Sequence, residues 1–108
     1  MSDDELVAIL ATDSGIDSFV KTHGTAAILF HRDCYTDASS LVDQALGKFT
    51  NGKIATVDIS IGSIGKVNKY PEMAETQDAN AILVVGYDGG RPCDACIISG
   101  GQLTKLAT

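Results

Sequence analysis

The chain has 108 residues, of which 44% are apolar, and a net charge of −6 from 14 acidic and 8 basic side chains. This is the length of one ordinary domain with enough apolar residues for a core, so we expect residues 1–108 to form a single domain. The basic residues are scattered, which argues against nucleic-acid binding. No apolar run approaches the roughly 20 residues that span a bilayer, and the start "MSDDEL" lacks signal-peptide features. The sequence therefore predicts a cytoplasmic protein without membrane association, in a compartment that keeps thiols reduced.

Apolar runs of strand length alternate with helical patterns over the first part of the chain. The runs at 6–11, 25–31 and 54–61 predict strands, and the second has no polar alternation, as in a strand buried on both faces. Apolar residues spaced three and four apart predict two helices between them. These residues are Ile16, Phe19 and Val20 in the first helix, and Leu41, Val42, Ala45, Leu46 and Phe49 in the second. Strands separated by helices are expected to be parallel.

The last part of the chain predicts antiparallel strands, in contrast to the parallel strands of the first part. Its predicted elements are a short helix at 63–70, a polar loop at 71–80, strands at 81–87 and 93–99, and a last helix from residue 100. Pro71 is taken as a helix breaker, and Asp88-Gly89-Gly90 is a strong hairpin signal that makes the last two strands antiparallel. The order β-α-β-α-β-α-β-β-α predicts an α/β fold whose mixed central sheet, parallel strands plus a C-terminal antiparallel hairpin, is flanked by helices.

This order resembles the thioredoxin fold, and the likeness extends over nearly the whole chain. The stretches "AILATDSGIDSFV" and "GTAAILFHRDC" are similar to the first strand, first helix and central strand of a thioredoxin, which lead to its active site. The stretch "SSLVDQALGKFTNGKIATVDIS" is similar to its second helix and third strand. The stretches "AILVVGYDGG" and "SGGQLTKL" are similar to its final hairpin and last helix. The resemblance implies a thioredoxin-like fold, and a fold alone does not settle function.

The stretch that matches the thioredoxin active site departs from the usual Trp-Cys-Gly-Pro-Cys motif. It reads Asp33-Cys34-Tyr35-Thr36-Asp37. By this resemblance the attacking cysteine falls on Cys34, and Asp37 stands where the resolving cysteine would be. The catalytic candidates are therefore Cys34, as nucleophile if the protein is active, and Asp37 at the resolving position.

Three further family positions are also changed. The carboxylate that thioredoxins bury in the central strand falls on Ile28, its lysine partner falls on Thr56, and the cis-proline opposite the active site falls near Asn80. Thioredoxins hold extended peptides on the surface between the active site and the cis-proline loop. The residues predicted by this resemblance to bind substrate are Asp33, Tyr35, Thr36 and Asn80.

The pKa of the Cys34 thiol depends on two opposing effects. Disulfide reduction needs a thiolate to attack and a second thiol to release the product. A helix N-terminus lowers the pKa of a thiol, whereas the carboxylates of Asp33 and Asp37 would raise it. We therefore expect a near-normal thiol pKa at Cys34. Without a thiol at position 37, Cys34 would form mixed disulfides that glutathione or a partner's thiol has to resolve.

Two functions of different classes follow from this site. The first is an atypical thiol-disulfide oxidoreductase that acts on protein or glutathione disulfides through Cys34 and needs no cofactor. The alternative is a redox-inactive thioredoxin-fold adaptor that binds a protein partner. The thiol pKa of Cys34 would discriminate between them.

The remaining cysteines form the C-x-x-C motif of this chain, Cys93 to Cys96. Such a motif is reactive when it starts a helix, but here it lies in a predicted strand, where residues three apart point to opposite faces. A structural zinc site needs four ligands, and both histidines are distant in sequence. We therefore predict no metal site at this pair.

Overall fold

The computed structural model describes residues 7–32, 44–45, 53–60, 64–78 and 80–107. Its strands are β1 (Val7–Leu10), β2 (Thr25–His31), β3 (Lys53–Asp58), β4 (Ile82–Asp88), β5 (Arg91–Ser99) and β6 (Gln102–Lys105). Its helices are α1 (Asp13–His23), a 3-10 helix (Lys66–Lys69) and α2 (Pro71–Glu75). Gln44 and Ala45 are helical, and the rest of the predicted second helix lies outside the described residues. No helix in these ranges is long and apolar enough to cross a membrane.

The six strands form one sheet in the order β1-β3-β2-β4-β5-β6. β3 pairs in parallel with both β1 and β2, whereas β2 with β4, β4 with β5 and β5 with β6 are antiparallel. The predicted mixed sheet is confirmed. β2 is central, and every residue of it after Thr25 is buried, as its unbroken apolar run indicates.

The predicted C-terminal helix is wrong, because the chain returns along β5 as the strand β6. Ser99 pairs with Gln102, which leaves a two-residue turn at Gly100 and Gly101, with φ of 59° and 77°. A turn with positive φ at both central residues matches the twist of antiparallel strands, and glycine adopts it without steric cost. The sequence pattern indicates a helix start at this glycine pair, but two adjacent glycines also permit a tight hairpin.

The segment predicted as a polar loop at 71–80 begins instead with the helix α2. Pro71 occupies the first turn of this helix, where a backbone N–H has no intrahelical partner and its absence costs nothing. Met73 on α2 is fully buried. The short helix predicted at 63–70 is present as the 3-10 helix.

Apolar side chains cover both faces of the sheet. On the first face, Ile16 and Val20 of α1 join Tyr70 and Met73 in a core with the inward side chains of the strands. The strand residues of this core are Ala26, Ile28, Phe30, Ala55, Val57, Leu83, Val85, Tyr87, Ala95 and Ile97. On the second face, the buried residues are Leu29, Ile82, Val84, Cys96 and Ile98. Ala45 packs against this second cluster, so helical residues lie on both faces, as predicted.

The start of α1 also fixes the 3-10 helix. The side chain of Thr12 caps α1 by accepting a hydrogen bond from the Gly15 amide at 3.0 Å. The carboxylate of Asp13 accepts hydrogen bonds from the backbone amides of Gly65 (2.8 Å) and Lys66 (3.1 Å). These contacts hold the chain that leads to α2 against the first face of the sheet.

Candidate functional site

The predicted residues Asp33, Cys34, Tyr35, Thr36 and Asp37 lie outside the described residues, so their roles stay predictions. The structure describes the chain up to Arg32, the residue that follows β2, and it describes Asn80. The candidate site is therefore built from its two flanks. These are the end of β2 and the loop before β4, whose described residues Thr76, Gln77, Asp78 and Asn80 we call the Asp78 loop.

The antiparallel pairing of β2 with β4 brings these two flanks together. Phe30 near the end of β2 lies opposite Leu83 near the start of β4. The chain that leaves β2 at Arg32 therefore emerges beside the chain that enters β4 from Asn80. The resemblance implies that Asn80 lies opposite the Cys34 stretch. The structure brings the Asp78 loop against Arg32, two residues before Cys34.

The side chain of Arg32 makes the contact between the two flanks. Its Nη2 donates a hydrogen bond to the carbonyl of Met73, and its Nη1 donates to the carbonyls of Asp78 (3.3 Å) and Thr76 (3.5 Å). A planar guanidinium has five N–H donors in a rigid fork, so one side chain can bind several carbonyls at once. The last carbonyls of a helix have no intrahelical partner, and Arg32 supplies donors at the end of α2.

The carboxylate of Asp78 holds the same loop through a second set of hydrogen bonds. Its Oδ1 accepts a hydrogen bond from the backbone amide of Asn80 at 2.9 Å. Its Oδ2 accepts from the Ser99 hydroxyl and the Gly100 amide, both at 3.0 Å. These bonds, led by the one from Asn80, hold the pKa of Asp78 below its ordinary value, and the charge of Arg32 acts in the same direction. The ionised carboxylate therefore ties the Asp78 loop to the turn between β5 and β6.

Asn80 has the exposure that a substrate-binding residue requires. Its backbone amide is held by Asp78, while the residue itself is exposed. The turn residue Gly100, bound to the same carboxylate, is also exposed. A fixed backbone with accessible groups can present hydrogen-bonding atoms to an extended peptide.

The resemblance places the family's buried carboxylate on Ile28 and its lysine partner on Thr56, and the structure puts these two residues on opposite faces of the sheet. Both residues are buried. Ile28 packs on the first face together with Ala55 and Val57. Because side chains alternate along a strand, Thr56 lies on the second face. The two side chains therefore point away from each other across the sheet.

The C-x-x-C motif lies in β5, as predicted, and away from the end of β2. Asp94 pairs with Gly86 and Pro92 with Tyr87, so Cys93 is the extra residue of a β-bulge. Cys93 is exposed, and Cys96 is buried on the second face. The absence of a zinc site at this pair stays a prediction.

From the sequence alone, no role was assigned to Arg32, Asp78 or Ser99. A local signal existed for Asp78, because an aspartate that accepts from the amide two residues later forms a common turn. The contacts of Arg32 join residues that are more than forty positions apart in the chain, and no spacing rule identifies them.

No protein-family model and no curated protein matches this sequence. Solved structures of thioredoxins are similar to it. A point mutant of the thioredoxin from Halobacterium salinarum NRC-1 aligns with a TM-score of 0.55 over 94% of this chain and 84% of that one, at 12% identity. The chain has a thioredoxin-like fold. A thioredoxin from Plasmodium falciparum aligns with a TM-score of 0.53 over 82% of each chain, at 14% identity.

A third structure supports the same thioredoxin-like fold. The reduced thioredoxin pre-protein of Schistosoma mansoni aligns with a TM-score of 0.54 over 89% of this chain and 87% of that one, at 10% identity. The prediction of a thioredoxin-like fold is confirmed. Identities this low establish the fold alone, so the activity has to be argued from the site.

Proposed function

We propose that this protein is a monothiol oxidoreductase of thioredoxin-like fold that acts on protein or glutathione disulfides in the cytoplasm. Residues 1–108 would form its single domain, with Cys34 as nucleophile. The observation that carries the proposal is the contact of Arg32, two residues before Cys34, with the Asp78 loop. In a thioredoxin-like fold this loop and the chain after the central strand are the two parts of a disulfide-exchange site.

The reaction requires two exchanges. The thiolate of Cys34 attacks the glutathione sulfur of a glutathionylated protein, so the Cys34–glutathione disulfide forms and the protein thiolate leaves and takes a proton from water. A second glutathione thiolate then attacks the sulfur of the bound glutathione, which releases the Cys34 thiolate and glutathione disulfide. The protein substrate is reduced and two glutathione molecules end as one disulfide, so electrons balance.

The positions of the other cysteines support an external resolving thiol. Cys93 lies at the row of the sheet where Gly86 pairs with Ala27, at the far end of β2 from Arg32. At roughly 3.3 Å per residue, that row is about 17 Å from Arg32 along the strand. Cys96 is buried on the second face. Neither cysteine lies near Arg32, two residues before Cys34, and this supports the monothiol route with glutathione.

The test compares the unaltered protein with Cys34→Ser, and with Cys93→Ser as the matched control at an exposed, remote cysteine. The first assay follows glutathione-dependent reduction of a glutathionylated peptide, coupled to glutathione reductase. The second follows insulin reduction with dithiothreitol. We expect turnover in the first assay that is lost in Cys34→Ser and kept in Cys93→Ser, and no catalysis in the second. Turnover that survives in Cys34→Ser, or its absence from the unaltered protein, would contradict the proposal.

A second function, a redox-inactive adaptor, is favoured by one observation. The position at which thioredoxins bury a carboxylate holds Ile28, whose side chain is fully buried among apolar residues of the first face. The rate of alkylation of Cys34 against pH separates the two functions. A clearly depressed thiol pKa, or turnover at the near-normal pKa that we expect, supports the oxidoreductase, and an ordinary pKa together with no turnover supports the adaptor.

A further inference from the structure

Arg32 connects two parts of the chain whose relative position matters for the proposed function. Its backbone leads from β2 into the stretch that contains Cys34. Its guanidinium is half-buried and donates to three carbonyls at the end of α2 and in the Asp78 loop, those of Met73, Thr76 and Asp78. A movement of the loop relative to the end of β2 would break these bonds.

The loop is held at a second point by the carboxylate of Asp78. That carboxylate binds the Asn80 amide and the turn at Ser99 and Gly100. Arg32 and the Asp78 carboxylate therefore fix the same short segment at two points. Asn80 lies near the position where the family has a proline, which restricts the loop backbone. Without that proline, the side-chain contacts of Arg32 and Asp78 restrict the loop instead.

We propose that Arg32 is a positioning residue that fixes the Asp78 loop for the binding of polypeptide disulfides. The inference rests on the proposed function and deepens it, because it names a residue that positions the loop against which a peptide substrate would bind. An extended peptide needs the loop backbone in place before it can bind, whereas a small disulfide can reach a thiol without the loop. Arg32 therefore acts on the affinity for peptides through the position of the loop.

The test uses two substitutions of Arg32 and a matched control. Arg32→Met keeps an unbranched stem and removes the donors, and Arg32→Lys keeps the charge but cannot bind three carbonyls in one plane. Arg91→Met removes the same charge from an exposed position on β5 and serves as the control. Urea unfolding confirms that each variant is folded, and Arg32→Lys replaces Arg32→Met in the comparison if the latter is not.

The kinetic readout is KM and kcat for a glutathionylated peptide and for bis(2-hydroxyethyl) disulfide. We expect Arg32→Met to raise KM for the peptide about tenfold, the effect of losing about one charge-assisted hydrogen bond. In Arg32→Lys, which keeps the positive charge near Cys34, we expect kcat, the constants for the small disulfide and the alkylation rate of Cys34 to stay within about twofold of the unaltered protein. Equal losses on both substrates, or no change on the peptide, would overturn the proposal.

A binding measurement separates this inference from the proposed function. In the Cys34→Ser background no exchange takes place, and fluorescence anisotropy reports the affinity for the labelled glutathionylated peptide. Peptide binding that Arg32→Met weakens about tenfold and Arg91→Met leaves unchanged would support the role of Arg32, even if the unaltered protein shows no turnover. Equal affinity with and without Arg32, or no binding of the peptide, would overturn it.

Discussion

Tyr70 provides a prediction of unusual sign, because removal of its hydroxyl group should stabilise the fold. The residue is 2% exposed, and its hydroxyl is buried without a hydrogen-bond partner among the described residues. Burial raises the pKa of its phenol. A buried polar group left without a partner costs about 1–3 kcal/mol. Tyr70→Phe removes the hydroxyl and keeps the ring in the first-face core, so no large cavity forms.

We expect Tyr70→Phe to raise the free energy of unfolding by about 1 kcal/mol, the lower end of that range. The lower end applies because Tyr70 also lines a groove of about 230 Å³, together with Tyr87 and Lys69, so its surroundings are not entirely closed. At about 2.1 cal/mol/K per residue, the entropy of unfolding of the 108-residue chain is about 230 cal/mol/K. A gain of about 1 kcal/mol therefore raises Tm by about 4 °C.

The assay is thermal and urea unfolding followed by circular dichroism, with Tyr87→Phe as the control on the same groove. Tyr87 is 5% exposed, and its hydroxyl is not among the buried groups that lack a partner, so we expect a change within about 0.5 kcal/mol. A loss of 1 kcal/mol or more in Tyr70→Phe would refute the reasoning. It would mean that the hydroxyl has a partner in solution, such as an ordered water.

Two further predictions concern pH and backbone conformation. Burial, and then nearby negative groups, raise the pKa of Tyr87 above its ordinary value near 10, so its contribution to stability is complete below about pH 10 and falls as the pH rises further. Tyr87→Phe should therefore reduce the loss of stability between pH 9 and pH 11, measured by urea midpoints, and an unchanged loss would contradict the cause given. Gly100 has φ of 59°, and Gly100→Ala should cost about 1 kcal/mol in urea unfolding, with Gln102→Ala on exposed β6 as a nearly neutral control. Equal effects of these two substitutions would show that the turn does not require glycine.

Local sequence patterns correctly predicted the elements that depend on local interactions. The unbroken apolar run at Thr25–His31 is β2, with the same bounds. Asp88-Gly89-Gly90 forms the predicted hairpin, with positive φ at both glycines. The pair Gly100-Gly101 was ambiguous, since glycines suit both a flexible helix start and a two-residue turn. The sheet edge offered by β5 decides between them, and that is a tertiary contact that no local pattern contains.

The candidate site was predicted from the sequence only in outline. The resemblance indicated that the chain after β2 and the loop with Asn80 face each other, and the structure brings Arg32 and the Asp78 loop into contact. The means of contact could not be predicted, because one guanidinium binds carbonyls that are remote in sequence. Every residue carries a backbone carbonyl, so a sequence does not show which carbonyls a guanidinium binds in the folded chain.

The strand order has a consequence for the kinetics of folding. In the C-terminal half, Asp88 pairs with Arg91 and Ser99 with Gln102, so the hairpins close over a few residues. In the N-terminal half, Val7 pairs with Ile54, across α1, β2 and all that follows up to β3. The entropy lost on closing a loop grows with its length, and non-local pairing slows folding. The antiparallel strands β4, β5 and β6 can thus form first, whereas β1 pairs only with β3 among the described strands. In native-state hydrogen exchange we expect β1 to be the last strand to join the sheet and the first to leave it.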